Sequence, residues 1–259
     1  MTVIPNRLLA LALVFFLSAC ATAPDDKKDD QKRMIRASRA NVQLGVAYMR
    51  ENELDTAMTK LKKAVDQDLR SVRAHDAIAV LYGRIDEDDL AEKHFKKALS
   101  LDSKDSRTHN NYGLYLCQAG DYARAEAEFN KAADNPLYAG RAAALTNAGV
   151  CANKIPDIGK AEQYFRAALK INPDYVPALL NMVNTAYSQG NYMSARGYLQ
   201  RYEQASPYSA ESLWLGVRVE NALHDKDASG RYALLLKHNF PETTQATRLQ
   251  EWENERRNR

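Results

Sequence analysis

Glycine and proline are scarce, 11 and 8 in 259 residues. That scarcity argues against a chain of short strands and tight turns and favours helices. Charge of one sign is also missing. The formal net charge is +3, and removing Arg7, the one charged side chain among the first 19 residues, leaves +2 (3 − 1). No basic field able to hold a phosphate backbone is present, so no nucleic-acid partner is expected. The chain contains no phosphate-binding glycine loop, no nucleophile elbow, no Cys-x-x-Cys and no two histidines four apart. Of the histidines His75, His94, His109, His224 and His238, the pair His75 and His109 recurs at one repeat position and is read as packing. The expectation is therefore no catalytic residue, no metal, no cofactor, no small-molecule substrate and no enzyme activity.

Long apolar runs are missing except one. Leu8 to Leu17 is unbroken, but ten residues cannot span a bilayer core of about 30 Å as a helix. It reads as the apolar centre of an export signal. The run ends in Leu17-Ser18-Ala19-Cys20, which resembles the lipobox of bacterial lipoproteins. The resemblance implies cleavage before Cys20 and a diacylglycerol on its sulfur, with residues 1–19 removed. Ala21 stands where an aspartate would imply retention at the inner membrane, so the resemblance implies the outer membrane, periplasmic face. Residues 20–36 are nearly all charged from Asp25 to Arg33 and lack apolar periodicity. They read as a solvated tether.

What the chain does have is a repeat. Ala57, Ala91, Ala125, Ala161 and Ala195 are spaced 34, 34, 36 and 34 apart. Four residues after each comes Leu61, Phe95, Phe129, Phe165 or Leu199, and three further on Ala64, Ala98, Ala132 and Ala168, with Tyr202 breaking the pattern. An i, i+4, i+7 series is one helix face. About a dozen residues upstream lie Gly45, Ala79, Gly113 and Gly149, each on the first helix of its hairpin. These residues resemble the tetratricopeptide (TPR) family, whose repeat is a helix–turn–helix. The expected fold is all-α, a single elongated TPR superhelix of about six repeats over 37–241, near 38–71, 72–105, 106–141, 142–175, 176–209 and 210–241. The sixth is weaker, with Ser229 where alanine recurs. Residues 242–259 read as a capping helix and tail, since terminal repeats need a polar cover.

Cys117 and Cys151 fall near the ends of consecutive first helices, which run side by side in a TPR stack. In an exported chain they are expected to form a disulfide, the alternative being two buried thiols. The family's groove-facing positions are Val42, Val46, Met49 and Arg50 in repeat one, Arg73, Val80 and Arg84 in repeat two, and Arg107 and Leu114 in repeat three. In repeat five they include Leu180, Asn184, Tyr187 and Ser188. The first three repeats thus offer an apolar strip rimmed by arginines, suited to a partner's helix or extended segment. Alternatively, some of these side chains turn into the next repeat. Val42 and Val46 stand where chaperone-binding TPRs carry a carboxylate clamp.

The stretch Tyr112-Gly113-Leu114-Tyr115-Leu116-Cys117 and the helix end from Phe165 to Pro173 resemble the type IV pilus biogenesis and stability family called PilW or PilF. That resemblance implies an outer-membrane lipoprotein that binds a pilus secretin subunit and promotes its localisation and multimerisation. From periodicity alone, service to another envelope machine, such as outer-membrane protein assembly, or activation of a cell-wall synthase remains open.

Overall fold

The structure, a computed structural model, describes residues 25–155 and 158–258. The signal and lipidation expectations, residues 1–19 and Cys20, lie outside the described residues. Thirteen helices and no strand are present among the described residues: α1 Asp25–Arg50, α2 Leu54–Gln67, α3 Val72–Arg84, α4 Asp88–Leu101, α5 Ser106–Gln118, α6 Tyr122–Asp134, α7 Arg141–Ala152, α8 Ile158–Ile171, α9 Val176–Ser188, α10 Tyr192–Ala205, α11 Ala210–Ala222, α12 Lys226–Asn239 and α13 Thr244–Arg257. The fold is all-α and built of TPR hairpins, as the periodicity predicts. Contacts group them into two compact units that divide between Leu101 and Asp102.

One contact recurs in four of the six hairpins: a glycine on the first helix lies under a large side chain 16 positions later on the second. A Cβ added at Gly45, Gly113 or Gly149 would come within 2.5, 2.8 and 2.5 Å of Leu61, Phe129 and Phe165. Phe95, Phe129 and Phe165 are fully buried, as are the alanines flanking them, Ala91 and Ala98, Ala125 and Ala132, Ala161 and Ala168. In the sixth hairpin the pair is Gly216 and Tyr232, at 2.6 Å. It keeps the 16-residue spacing but follows Val183 and Leu199 by 33 residues, one short of the period. Ser229, in the alanine position, is buried and donates its hydroxyl to the Val217 carbonyl at 3.1 Å, so its polarity is satisfied.

The turns repeat as well. Asn52, Asp86, Gly120, Gly190 and His224 all have φ between 59° and 83°. The residue after each donates its N–H to a carbonyl five positions back: Glu53 to Tyr48, Glu87 to Tyr82, Asp121 to Leu116, Asn191 to Ala186 and Asp225 to Glu220, at 2.8–3.0 Å. A left-handed residue lets the chain close the last helical turn and reverse. Glycine adopts it freely, and asparagine, aspartate and histidine tolerate it better than most. New helices then start on side-chain caps at Ser71, Asp105, Asp121, Ser209, Asp225 and Thr243.

In the first unit, α1 packs on α2 and α3, and α3 on α4. Ser38 donates to the Ala64 carbonyl at 2.8 Å, and Asn41 to the Gln67 side chain at 2.8 Å. Residues 25–36, expected as a tether, instead continue α1 upstream of its packed part. They are exposed from Lys27 to Met34, and Lys32 and Arg33 pair with Asp29 and Asp30 three residues back. A docked helix supplies the nucleus that an isolated charged segment lacks, and i, i+3 pairs support its propagation.

In the second unit, α5, α7, α9 and α11 lie side by side in that order, each covered by its own second helix. The connection from α6 to α7 runs 135–140, two residues longer than the four-residue connections 172–175 and 206–209. Within it Leu137 is 91% exposed while Tyr138 packs over Gly140. The last helix, α13, rests on α11 and α12 through Ala246 and Leu249, and Trp252 meets Trp214 edge-on at 6.4 Å.

A disulfide joins Cys117 on α5 to Cys151 on α7, with Cα atoms 5.9 Å apart. Closing a loop of this length contributes about 3–4 kcal/mol in the chain-entropy model. Alkylation of denatured, unreduced protein is expected to leave both cysteines unmodified, and prior reduction to expose both, as read by peptide mass spectrometry.

Candidate binding faces of the first helices

Val42, Val46 and Met49 share one face of α1 by their i, i+4, i+7 spacing. The structure divides them. Val42 and Val46 are half-buried and reach the surface, whereas Met49 is 6% exposed and belongs to the core. Val80 is half-buried on α3, which packs against α1. Arg50 and Arg73 are exposed at the margins. Arg84 is exposed too, but its guanidinium donates to the Met49 carbonyl at 2.7 Å and to Asn52 at 3.4 Å. Met49 lies in the core, a correction to its reading as a groove residue, whereas Arg84 ties α1 to α3 and stays exposed. The cause is local: the Met49 carbonyl at the end of α1 lacks an intrahelical donor and accepts from the Asn52 N–H at 3.3 Å and from Arg84.

In the second unit Arg107 is exposed near the start of α5. Leu114 is 38% exposed and Val150, at the same repeat position on α7, 41%. Next in this row come Asn184, exposed on α9, and Arg218, half-buried on α11. Beside them an open depression of about 320 Å³ is lined by Asn153, Asn184, Thr185, Tyr187, Ser188 and Arg218. The Arg218 guanidinium stacks 4.1 Å above the Tyr187 ring. The sequence reading placed Asn184, Tyr187 and Ser188 on this face but missed Asn153, Val150 and Arg218, which the same 34-residue period would have located.

The two histidines read as packing residues are buried, and each has two partners. His75 donates Nε2–H to the Leu69 carbonyl at 3.1 Å, and its Nδ1 meets Nδ1 of His94 at 2.9 Å. His109 bonds the Ser103 carbonyl at 3.0 Å and the Glu128 carboxylate at 2.5 Å. The architecture is the same, 19 residues from one helix to the next, but the partner differs. Burial, with His75 and Lys93 nearby, pushes His94 down to about 4, and burial lowers His75 too. Burial also opposes charge on His109, yet the hydrogen bond to Glu128 raises it overall, while Glu128 is held low by its bonds to His109 and Lys131. Among the described residues no three His, Cys, Asp or Glu side chains converge as metal ligands.

These are the parts of a protein-binding scaffold, and comparison with known families agrees. Models described as tetratricopeptide repeat match residues 72–105, 94–127, 113–176 and 157–211. The chain is 32% identical over 236 residues to the type IV pilus assembly protein PilF of Pseudomonas aeruginosa, covering 89% of this chain and 93% of that one. Its fold superposes on the structure of Pseudomonas aeruginosa PilF with a TM-score of 0.72 at 31% identity, covering 86% of this chain and 99% of that one. It superposes on PilW, described as a widely conserved type IV pilus biogenesis factor, with a TM-score of 0.71 at 28% identity, covering 82% and 97%. The chain is a TPR protein, and it belongs to the type IV pilus assembly family of PilF and PilW.

The histidine geometry carries a sign. Both His94 and His75 are lower in the folded state than in the unfolded chain, so their neutral pairing is fully present above the unfolded value near 6.5. It is lost as pH falls from there towards about 4, the folded value of His94. His109 is raised, so its contribution is present below about 6.5 and lost above its folded value. Urea titrations at several pH values are expected to show His94→Gln flattening the loss of stability on acidification, with no such effect from His109→Gln.

Proposed function

We propose that the chain is an outer-membrane lipoprotein, anchored through Cys20 on the periplasmic face, that binds a subunit of the type IV pilus secretin and promotes its localisation and multimerisation. The observation that carries this reading is the match to a pilus assembly protein along nearly the whole of both chains, not only along generic repeats. The lipobox at Leu17–Cys20 supplies the anchor. Several dozen acyl CH₂ groups, at about 0.8 kcal/mol each, make such an anchor effectively permanent. The half-buried strip of Val42, Val46 and Val80, with Arg50 and Arg73 exposed at its margins, supplies a surface for a partner segment in the first unit. An amphipathic segment buries its apolar face on the valines while the arginines orient it. Arg107 and Leu114 offer the same chemistry separately on the second unit.

Deleting the gene and running unboiled outer-membrane fractions on a gel tests this. Heat-resistant secretin oligomers are expected to give way to monomers on deletion. Cys20→Ala is expected to abolish labelling by radioactive palmitate and to leave the oligomers reduced. Unchanged oligomers after deletion would contradict the proposal.

A further inference from the structure

The first unit carries its charges at opposite ends. Its two turns within hairpins are acidic. Glu51, Glu53 and Asp55 lie at the first, and residues 86–89, Asp-Glu-Asp-Asp, at the second, all of them exposed. Each second helix runs away from its turn and becomes basic. Lys62 and Lys63 on α2 and Lys96 and Lys97 on α4 form a doublet that repeats after 34 residues, and all four are exposed. At 1.5 Å per residue each doublet begins about 12 Å along its helix from the acidic turn. Arg70, exposed in the connection after α2, continues the basic end. Ser38 donates to the Ala64 carbonyl and Asn41 to Gln67, which sets the far end of α2 beside the early packed part of α1, where Arg36 is exposed too.

Few acids offset these cations. Lys96 pairs with Glu92 at 3.0 Å in a contact that leaves the lysine largely in water. Asp66 and Asp68 are the carboxylates at the end of α2, and Asp68 already accepts the Arg70 N–H at 3.0 Å. The doublet is confined to this unit. One period further on, the same positions hold Asn130 and Lys131, and Lys131 is bound to Glu128 at 2.7 Å. Scattered lysines make a solvated face, but a repeated doublet with acids at the far end makes a field with a direction. That direction matches the path of the chain. α1 enters the unit from the basic end and finishes at the acidic turn. Residues 21–24 separate Cys20 from Asp25, the first residue of α1, a reach of at most about 17 Å.

We propose that the basic end of the first unit binds an anionic phospholipid surface, with Lys62, Lys63, Lys96 and Lys97 meeting the headgroup phosphates. The membrane rests on the lipoprotein reading above; the charges decide which side of the fold faces it. An acyl anchor holds the start of α1 near the leaflet but leaves the tilt of α1 free. The charge gradient removes that freedom, drawing the lysines of the second helices towards the headgroups and turning the acidic turns away. Each lysine brought to such a surface strengthens binding about fivefold. The anchor makes the contact intramolecular, so a weak affinity suffices. The lysines lie on second helices and the valine strip on first helices, so the two surfaces are separate.

The test removes the anchor so that the protein surface alone is read. The untagged chain from residue 20, carrying Cys20→Ser, is sedimented with vesicles of phosphatidylcholine or of an equal mixture with phosphatidylglycerol. At low salt, binding to the anionic vesicles is expected to be at least about tenfold tighter, a preference that shrinks as salt rises. Lys62→Gln, Lys63→Gln, Lys96→Gln and Lys97→Gln together are expected to abolish the preference. The same loss of charge on the second unit, by Lys154→Gln, Lys170→Gln, Lys226→Gln and Arg231→Gln, is expected to leave most of it. All eight positions are exposed, and unchanged circular dichroism establishes that both variants fold. Equal binding to the two vesicles, which leaves the basic end to an acidic protein, overturns the proposal. So does a preference that survives the four-lysine variant, or one lost equally in the second-unit variant. The readout uses neither acyl chain nor secretin, so its failure and failure of the pilus reading are distinguishable.

Discussion

Four of the six hairpins depend on a glycine letting a large side chain approach. Gly113 lies so close to Phe129 that a single added carbon would fall 2.8 Å from the ring. The alanines on either side of the phenylalanine let the neighbouring helices close over it. Interiors are packed at the density of organic crystals, so this contact fixes helix separation to a few tenths of an ångström. With helix separation fixed, the positive-φ turns recur at one register and the first-helix faces present their side chains in rows. A row of chemically different residues is then a ruler, with one readable position about every 10 Å.

The same frame accepts different chemistry at equivalent places. His75 and His109 make the same bond to the connection before their helices, yet one faces a neutral His94 and the other an ionised Glu128. Ser229 replaces a packing alanine because the Val217 carbonyl is within reach. Asn52, Asp86 and His224 replace glycine in the turn because the left-handed conformation is costly for them but not prohibitive. Repetition thus fixes geometry while leaving polarity and charge to vary, which is how unlike binding surfaces arise on one fold.

Most of the fold was legible because packing imposes its period on the sequence. The Ala57 to Ala195 series located the second helices, and the two-residue excess at 135–138 located the longer connection. Other features were not legible. The charged run 25–36 carries no apolar period, so nothing in it reveals that it continues a helix nucleated by the packed part of α1. Met49 and Val46 share a face, but only coordinates show Met49 turned inward and Arg84 spent on its carbonyl. Backbone carbonyls leave no trace in a sequence, so arginines that serve them cannot be told apart from those left for a partner. Arg218 lies one period after Asn184 and could have been located from it.

The claim on which the rest stands is that the small–large contact sets the hairpin. A double-mutant cycle on Gly113→Ala and Phe129→Leu, read by urea unfolding of the whole protein, tests it most directly. Gly113→Ala alone is expected to cost about 1–3 kcal/mol through overpacking. In the Phe129→Leu background, where the ring is gone, most of that cost should vanish, giving a coupling of at least about 1 kcal/mol. Costs that add to within about 0.3–0.5 kcal/mol would mean that the two residues do not sense each other, and would contradict the account.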